Sequence, residues 1–208
     1  SLAHPFNQLS GQIDAYLVTN LHLTNTVPYT LGETLVSGNV MLFGAGSVQQ
    51  AANRSISVGG GFNALFASGD VILNHPDNDF QSVVTINTTG SVSLSDANDL
   101  LLGSQTAANL TVEAAGSISQ VGTITASGDT SITANTIVLT EANDFQGSVS
   151  LSATHARVPD VNDLLLGGIT ITNGLSVQAG GSVTQTVAGV TALEMAVRAE
   201  SGILLNKE

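Results

Sequence analysis

Asn78-Asp79-Phe80-Gln81-Ser82-Val83 returns 65 residues later as Asn143-Asp144-Phe145-Gln146-Gly147-Ser148-Val149. A second stretch, Asp99-Leu100-Leu101-Leu102-Gly103, returns 64 residues later as Asp163-Leu164-Leu165-Leu166-Gly167. Repeats tolerate such a one-residue slip in their turns when the register is recovered further along. Self-similarity at a fixed period is typical of stacked repeat architectures, so these stretches predict the fold of the whole chain.

The repeat extends in both directions from these stretches. Ala115-Gly116-Ser117-Ile118-Ser119-Gln120 returns as Gly180-Gly181-Ser182-Val183-Thr184-Gln185, and Gly46-Ser47-Val48-Gln49-Gln50 is a more divergent upstream copy. The pattern begins and ends within a repeat, so we expect the chain to be part of a longer protein. We predict one continuous domain with a degenerate N-terminal repeat at 1–77, a repeat at 78–142 and a C-terminally truncated repeat at 143–208.

The composition predicts an all-β protein. Only 10% of the 208 residues are charged and 4% are aromatic, while 22 are glycine and none is tryptophan or cysteine. Small and β-branched side chains suit stacked strands, and frequent glycines suit the turns between them. The absence of cysteine excludes a disulfide framework.

The charge excludes several classes of partner. The chain has sixteen acidic and four basic residues, which gives a net charge of −12. Nucleic acids and anionic lipid surfaces both require a basic footprint, so we expect neither as a partner. No apolar run approaches the roughly 20 residues needed to cross a bilayer, so we do not expect membrane insertion.

Alternation within each repeat predicts short strands. In Ser91-Val92-Ser93-Leu94-Ser95 and Leu110-Thr111-Val112-Glu113-Ala114, apolar residues alternate with mostly polar ones, as in strands with one buried face. Like strands recur about every 20 residues, which suggests about three coils per 65-residue repeat. We therefore predict a right-handed parallel β-helix. Its interior is expected to include Phe80, Leu100, Leu102, Phe145, Leu164 and Leu166.

The recurring Asn-Asp pairs are expected at the corners of the coils. Asn78, Asn98, Asn143 and Asn162 each precede an aspartate, and stacked amides can hydrogen-bond along a column. Stacked carboxylates repel one another unless a cation bridges them, which makes Asp79, Asp99, Asp144 and Asp163 calcium candidates. The competing interpretation is that these residues form Asx turns with solvated acids and need no cofactor. The glycine-rich nonapeptide typical of dedicated calcium coils is absent.

Other chemistry finds little support in the sequence. The histidines (His4, His22, His75 and His155) are scattered without a ligand spacing, so no zinc site is predicted. A polysaccharide-degrading β-helix enzyme would use paired carboxylates. Here, however, the acids recur with the repeat, whereas a catalytic site is needed only once. We therefore expect no enzyme, and keep a glycan-binding or polysaccharide-degrading β-helix protein as the alternative. Ice binding is disfavoured because Thr-x-Thr pairs do not recur at the coil period.

The successive motifs Asn-Asp-Phe-x-Gly-x-Val-x-Leu, Asp-x-Asn-x-Leu-x-Leu-Gly and Leu-Thr-Val-x-Ala-x-Gly-x-Ile-x-Gln resemble the repeats of filamentous-haemagglutinin-like bacterial surface adhesins. The resemblance covers residues 78–206 well and the first 77 loosely. It implies a secreted or cell-surface right-handed β-helical stalk that contributes to adhesion and has no catalytic residues. Its expected partner is a glycan or protein on a host or neighbouring cell, and the rod is expected to be monomeric. Residues 1–43 depart from the pattern, so a ligand site is expected there first.

Overall fold

The computed structural model describes residues 1–186 and 189–205, and within these ranges the chain contains 26 β-strands and no helix. Val187, Ala188 and the last three residues of the predicted third repeat therefore lie outside the described residues.

The strands fall into three successive groups that follow the sequence repeat. The first group comprises β1 (Gln12–Val18), β2 (Leu21–Asn25), β3 (Tyr29–Val36), β4 (Val40–Gly44), β5 (Val48–Gln50), β6 (Ile56–Val58), β7 (Phe62–Phe66), β8 (Val71–Leu73) and β9 (Asp79–Phe80). The second comprises β10 (Val83–Asn87), β11 (Val92–Asp96), β12 (Leu100–Ala107), β13 (Leu110–Ala114), β14 (Ser117–Gln120), β15 (Ile124–Ala126), β16 (Thr130–Thr133), β17 (Thr136–Val138) and β18 (Asp144–Phe145). The third comprises β19 (Ser148–Ala153), β20 (His155–Asp160), β21 (Leu164–Ile171), β22 (Gly174–Ala179), β23 (Ser182–Gln185), β24 (Val190–Thr191), β25 (Glu194–Ala199) and β26 (Gly202–Leu204).

The strands stack as a parallel β-solenoid, which confirms the predicted fold class. The chain passes alternately through a 14-stranded sheet and a 12-stranded sheet, and the path along the smaller sheet runs from β2 to β25 in about ten coils. At about 4.8 Å per coil the stack is about 45 Å long. The right hand of the coil stays a prediction that rests on the usual handedness of parallel crossovers.

Alternate side chains of each strand fill the interior in continuous columns. In the larger sheet Leu94 pairs with Val112, Val112 with Ile132, and Ile132 with Leu151. All four are at most 2% exposed, so each coil buries its apolar residues against the coils above and below. The six residues predicted for the interior are buried as expected: Phe80, Leu100, Leu102, Phe145, Leu164 and Leu166.

Corresponding strands of successive repeats lie in opposite sheets. Strand β12 belongs to the 12-stranded sheet, whereas its counterparts β3 and β21 belong to the 14-stranded sheet. Between β12 and β21 the chain makes seven passes through alternating sheets, so one repeat spans three and a half coils rather than three. Each repeat is therefore turned by half a coil relative to the one before it.

A bulge interrupts the long strand of each repeat. Val149 pairs with Leu166 and Leu151 pairs with Ile169, so that Gly167 and Gly168 together oppose the single residue Ser150. A Cβ atom on Gly167 would lie 2.6 Å from the Ser150 hydroxyl oxygen, which explains the glycine. Such a bulge bends the strand and disturbs the ladder locally.

In the coils next to the long strand, the strand is split into two pieces. In the 12-stranded sheet β12 pairs with both β14 and β15, β14 pairs with β17, and β15 pairs with β18. Between the pieces the chain leaves the sheet, and backbone N–H groups that a continuous ladder would have used need other acceptors. Asn78 and Asn143, from two of the four predicted corners, lie in such gaps.

Candidate functional site

Of the four predicted calcium candidates, Asp79 and Asp144 lie at the edges of gaps, whereas Asp99 and Asp163 lie in the turns before β12 and β21, and each carboxylate already accepts hydrogen bonds. Asp79 Oδ1 accepts from the Asn98 side-chain amide at 3.2 Å, and Asp144 Oδ1 accepts from Asn162 at 2.9 Å. The Asp99 carboxylate accepts the Ser117 backbone N–H at 2.6 Å. Asp163 accepts the Ser182 N–H at the same distance. The two copies of the corner are thus superimposable in their hydrogen bonding.

The expected column of asparagine amides is not formed. Asn98 and Asn162 are exposed and donate to an aspartate of the preceding coil, whereas Asn78 and Asn143 are fully buried. The Asn-Asp pairs therefore alternate between two different environments. The prediction was wrong because sequence spacing does not distinguish a corner on the surface from a gap that opens into the interior.

Two other aspartates, Asp96 and Asp160, are the buried acids of the structure. Each is at most 5% exposed and accepts two backbone N–H groups. Asp96 accepts from Phe80 and from Asn98, both at 2.7 Å, while Asp160 accepts from Phe145 at 2.9 Å and from Asn162 at 2.6 Å. These carboxylates replace the strand partners that β9 and β18 lack.

Burial raises the pKa of both acids above the usual value of an aspartate. For Asp96 the two backbone N–H groups oppose this rise, and the nearby carboxylates of Asp79 and Asp99 add to it. The pKa of Asp160 is raised in the same way, with Asp144 and Asp163 as the neighbouring charges. The sequence contained a signal that would have identified them, because Asp96 continues the inward alternation of Val92 and Leu94.

At each gap two side-chain amides, one from Gln and one from Asn, bind each other. Asn143 donates to Gln120 Oε1 at 3.0 Å and receives a hydrogen bond from Gln120 Nε2 at 2.8 Å. The same Asn143 Oδ1 accepts the Ile124 backbone N–H at 2.9 Å. Gln50 and Asn78 form the equivalent reciprocal pair in the first repeat, at 2.6 and 3.0 Å. In the sequence these glutamines stand out only as part of the repeated motif, so this role was not predicted.

The corners do not assemble a cluster of metal-ligating side chains in residues 1–186 and 189–205. No group of three or more His, Cys, Asp or Glu side chains in this part of the chain could hold a metal ion. Calcium at Asp79, Asp99, Asp144 or Asp163 stays a prediction. The same ranges contain no helix that is long and apolar enough to cross a membrane.

The four histidines have separate surroundings in the structure. His75 lies 3.9 Å from the carboxylate of Asp77, and His22 packs against the Phe43 ring with centroids 5.4 Å apart. His4 contacts Phe6 in a similar tilted arrangement. His155 is exposed on the outer face of β20.

The N-terminal region, where a ligand was expected, contributes to a groove of about 390 Å³. Leu17 lies on its rim with a φ of 55° and is 73% exposed. A leucine in the left-handed region costs about 1–2 kcal/mol. The groove is lined by apolar and hydroxyl-bearing or amide side chains: Leu17, Val18, Thr19, Leu35, Val36, Ser37, Ser57 and Gln81, with Gly59. Ligand binding by this groove stays a prediction.

A larger groove of about 450 Å³ lies on the outer face of the 12-stranded sheet near its C-terminal end. It crosses β17, β20, β22 and β25 and runs along the axis of the solenoid. Its lining includes the charged residues Arg157 and Glu194 and the imidazole of His155. No sequence feature had singled out this face.

The family comparison agrees with the internal repeats. A family model described as repeats of unknown function (DUF5649) matches residues 18–87, 89–152 and 153–208. Its three matches divide the chain at other points than the predicted boundaries. Those boundaries stay a prediction, since a periodic chain can be divided at any phase.

No curated protein and no solved structure matches the chain significantly. Since the family model covers most of the chain in three consecutive copies, the chain belongs to the DUF5649 family of repeats.

Proposed function

We propose that this chain is a structural stalk and interaction segment of a large secreted bacterial adhesin, exposed at the cell surface and without catalytic activity. The observation that carries the proposal is the uninterrupted stack of about ten coils, in which one polar corner design is used repeatedly. A stack of this kind grows in length by adding coils and needs neither disulfide nor cofactor.

The roles of the acids support an absence of catalysis. Asp96 and Asp160 both accept two backbone N–H groups, so their carboxylates serve to complete broken strands. Because both copies keep this arrangement, selection for folding explains it without a reaction. The expected partner remains a glycan or protein on a host or neighbouring cell.

The stalk role is tested by measuring reach. The chain is placed between a bacterial surface anchor and a small binding module, and the height of the module above the membrane is measured by fluorescence axial localisation. We expect the module to move outward by about 45 Å relative to a fusion without the chain. A height that does not change with the chain would overturn the proposal.

The alternative of a polysaccharide-degrading β-helix protein is tested on the purified chain. Acidic and neutral polysaccharides are incubated with it, and new reducing ends are measured against the Asp96→Asn/Asp160→Asn double variant. We expect no release of reducing ends. Release that the double variant abolishes while it keeps the circular dichroism spectrum of the wild type would establish an enzyme.

A further inference from the structure

The larger groove has two walls made of outward-facing side chains. By the parallel register, Thr136, His155, Gly174 and Glu194 follow one another along one wall, one from each strand. Val138, Arg157, Ser176 and Ala196 form the other wall in the same order. Between the walls lie the buried residues Ile137, Ala156 and Leu175 and the exposed Met195, which complete the lining.

Gly174 opens the groove in the middle of one wall. A Cβ atom at this position would lie 3.5 Å from Cδ2 of His155, so the imidazole leans over the space that the glycine leaves. No other atom lies within 4 Å of that Cβ position, so Gly174 leaves an open notch between His155 and Glu194.

The residues that shape the groove depart from the repeat. Asp96 and Asp160 correspond, so His155 and Arg157 stand where the preceding repeat has Ser91 and Ser93. Further along, where Leu110 corresponds to Leu175 and the offset is 65 residues, Gly174 replaces Asn109, and Arg198, on the neighbouring outer face, replaces Thr133. The preceding repeat forms the corresponding strands, in the opposite sheet, with the other residues, so strand formation does not require these four. A reason specific to this face is needed.

The face also concentrates cations that lack acidic partners. The ion pairs among residues 1–186 and 189–205 are Arg54 with Glu33 and His75 with Asp77. Neither Arg157 nor Arg198 takes part in one, and both are exposed. In a chain of net charge −12, unpaired arginines on one face are available to an external anion.

We propose that this groove binds an extended peptide segment that carries an acidic and a basic side chain about 10 Å apart. The acidic side chain lies between His155 and Arg157, where a guanidinium can bind a carboxylate in bidentate fashion. The basic side chain pairs with Glu194, two strand spacings or about 10 Å along the same wall as His155. In a polyproline II segment, residues i and i+3 lie on one side about 9 Å apart, which matches this spacing. The inference deepens the proposed function by assigning the interaction a site and a protein partner rather than a glycan.

Glu194 decides between a mixed-charge peptide and an acidic glycan. A polyanion lying along the groove would bring a negative charge against Glu194, and like charges at this distance repel. The groove also lacks an aromatic side chain on which a sugar could stack. Val138 and Ala196, on the other wall, offer apolar contact that suits proline rings or aliphatic side chains.

The test uses the whole chain and a fluorescein-labelled peptide, acetyl-Pro-Glu-Pro-Pro-Lys-Pro-amide, with binding followed by fluorescence anisotropy at low ionic strength. Arg157→Ser introduces the residue found at the same place in the preceding repeat, so the variant is expected to fold. We expect it to bind about tenfold more weakly, as for loss of one charge-assisted pair. Gly174→Asn, which fills the notch without a change of charge, is expected to reduce binding to a similar degree.

Arg54→Ser is the matched control, because it changes the net charge equally at a distant site and should leave the affinity unchanged. A peptide with Gln in place of Glu should bind the wild-type chain about as weakly as the original peptide binds the Arg157→Ser variant. No binding to the folded chain, equal loss in the Arg54→Ser and Arg157→Ser variants, or preferential binding of trigalacturonate would each overturn the proposal. None of these results bears on the reach of the stalk, which is measured separately.

Discussion

Gln120 and Asn143 bind each other through both of their amide groups, at 2.8 and 3.0 Å, across a gap between two coils. Asn143 also accepts the backbone N–H of Ile124 and is fully buried. A side chain thus supplies the hydrogen bonds that a continuous strand would have supplied. The pair therefore allows the solenoid to include a coil whose strand is split in two.

Asn143→Ala is expected to lower the free energy of unfolding by about 1–3 kcal/mol, because the Ile124 N–H loses its acceptor in the interior. Gln120→Ala and the double variant complete a cycle in denaturant unfolding. We expect the double variant to cost less than the two single changes together, since they remove the same pair. Asn135→Ala, at an exposed corner, is the control and should cost less than about 0.5 kcal/mol. Additive single changes would contradict a reciprocal pair.

The buried acids Asp96 and Asp160 predict a pH dependence of stability. Their pKa values are raised in the folded chain, so between the ordinary aspartate pKa and the raised value the folded state binds more protons than the unfolded state. Stability should therefore fall as the pH rises through this window and level off above the raised pKa.

The measurement is the thermal midpoint from about pH 3.5 to pH 7, compared with the Asp96→Asn variant. We expect a smaller fall with pH in the variant, together with lower stability at pH 4, because an amide nitrogen faces one of the two N–H donors. Asp77→Asn, which removes an exposed acid, should leave the slope close to that of the wild type. If the two variants change the slope equally, general charge repulsion is responsible.

Stacked glycines at one corner allow close contact between coils. Gly69 has a φ of +96°, and a Cβ atom on Gly90 would collide with the Gly69 carbonyl. We expect Gly90→Ala to destabilise the chain by about 1–3 kcal/mol, because the backbone must shift to relieve the contact. Gly11→Ala is the control, since nothing lies within 4 Å of its Cβ position. Equal unfolding midpoints for the two variants would show that the corner is more adaptable than its spacing indicates.

Chelation of calcium is expected to leave the thermal midpoint unchanged. The carboxylates of Asp79 and Asp144 already accept amide hydrogen bonds from Asn98 and Asn162, so they are partly satisfied without a cation. Unfolding is followed by circular dichroism with a chelator and then with added calcium. A midpoint that falls on chelation and is restored by calcium would establish the corners as metal sites, and Asp99→Asn and Asp163→Asn would then locate them.

The half-coil offset of successive repeats predicts a distance. Thr111 and Ser176 are equivalent in sequence but lie in β13 and β22, which belong to opposite sheets. Since the chain has no cysteine, spin labels can be placed on Thr111→Cys/Ser176→Cys alone. Three and a half coils along the axis and the 10 Å between sheets put the two Cα atoms about 20 Å apart, with labels pointing away from each other. If a repeat instead spanned three coils, the two residues would lie in the same sheet. Their Cα atoms would then be about 14 Å apart, with both labels on one side of the solenoid.

The sequence predicted the solenoid because its signals are local. The alternation around Val92 and Leu94 and the return of Asp99-Leu100-Leu101-Leu102-Gly103 both depend on neighbouring residues, and both led to the correct core. The half-coil offset between repeats could not be predicted in this way, because the sequence of a strand does not reveal which of the two sheets it joins. The number of coils per repeat follows only from counting the passes of the folded chain.

The corners were predicted less well for a related reason. Asn78 and Asn98 both precede an aspartate and then an apolar residue, yet one is buried against Gln50 and the other is exposed against Asp79. The difference comes from the split strand beside one of them, which depends on a bulge in a coil that is distant in sequence. The groove at His155 was missed because it is defined by departures from the repeat rather than by the repeat itself.

Because of the half-coil offset, the side of the rod on which a given surface lies depends on whether the number of preceding repeats is odd or even. Inserting or deleting one repeat would turn everything beyond it to the opposite side, whereas changing the number by two would restore the original orientation. A long array built in this way presents each surface in two antipodal rows. Length variants of such a rod should therefore keep the orientation of whatever they carry only when repeats are gained or lost in pairs.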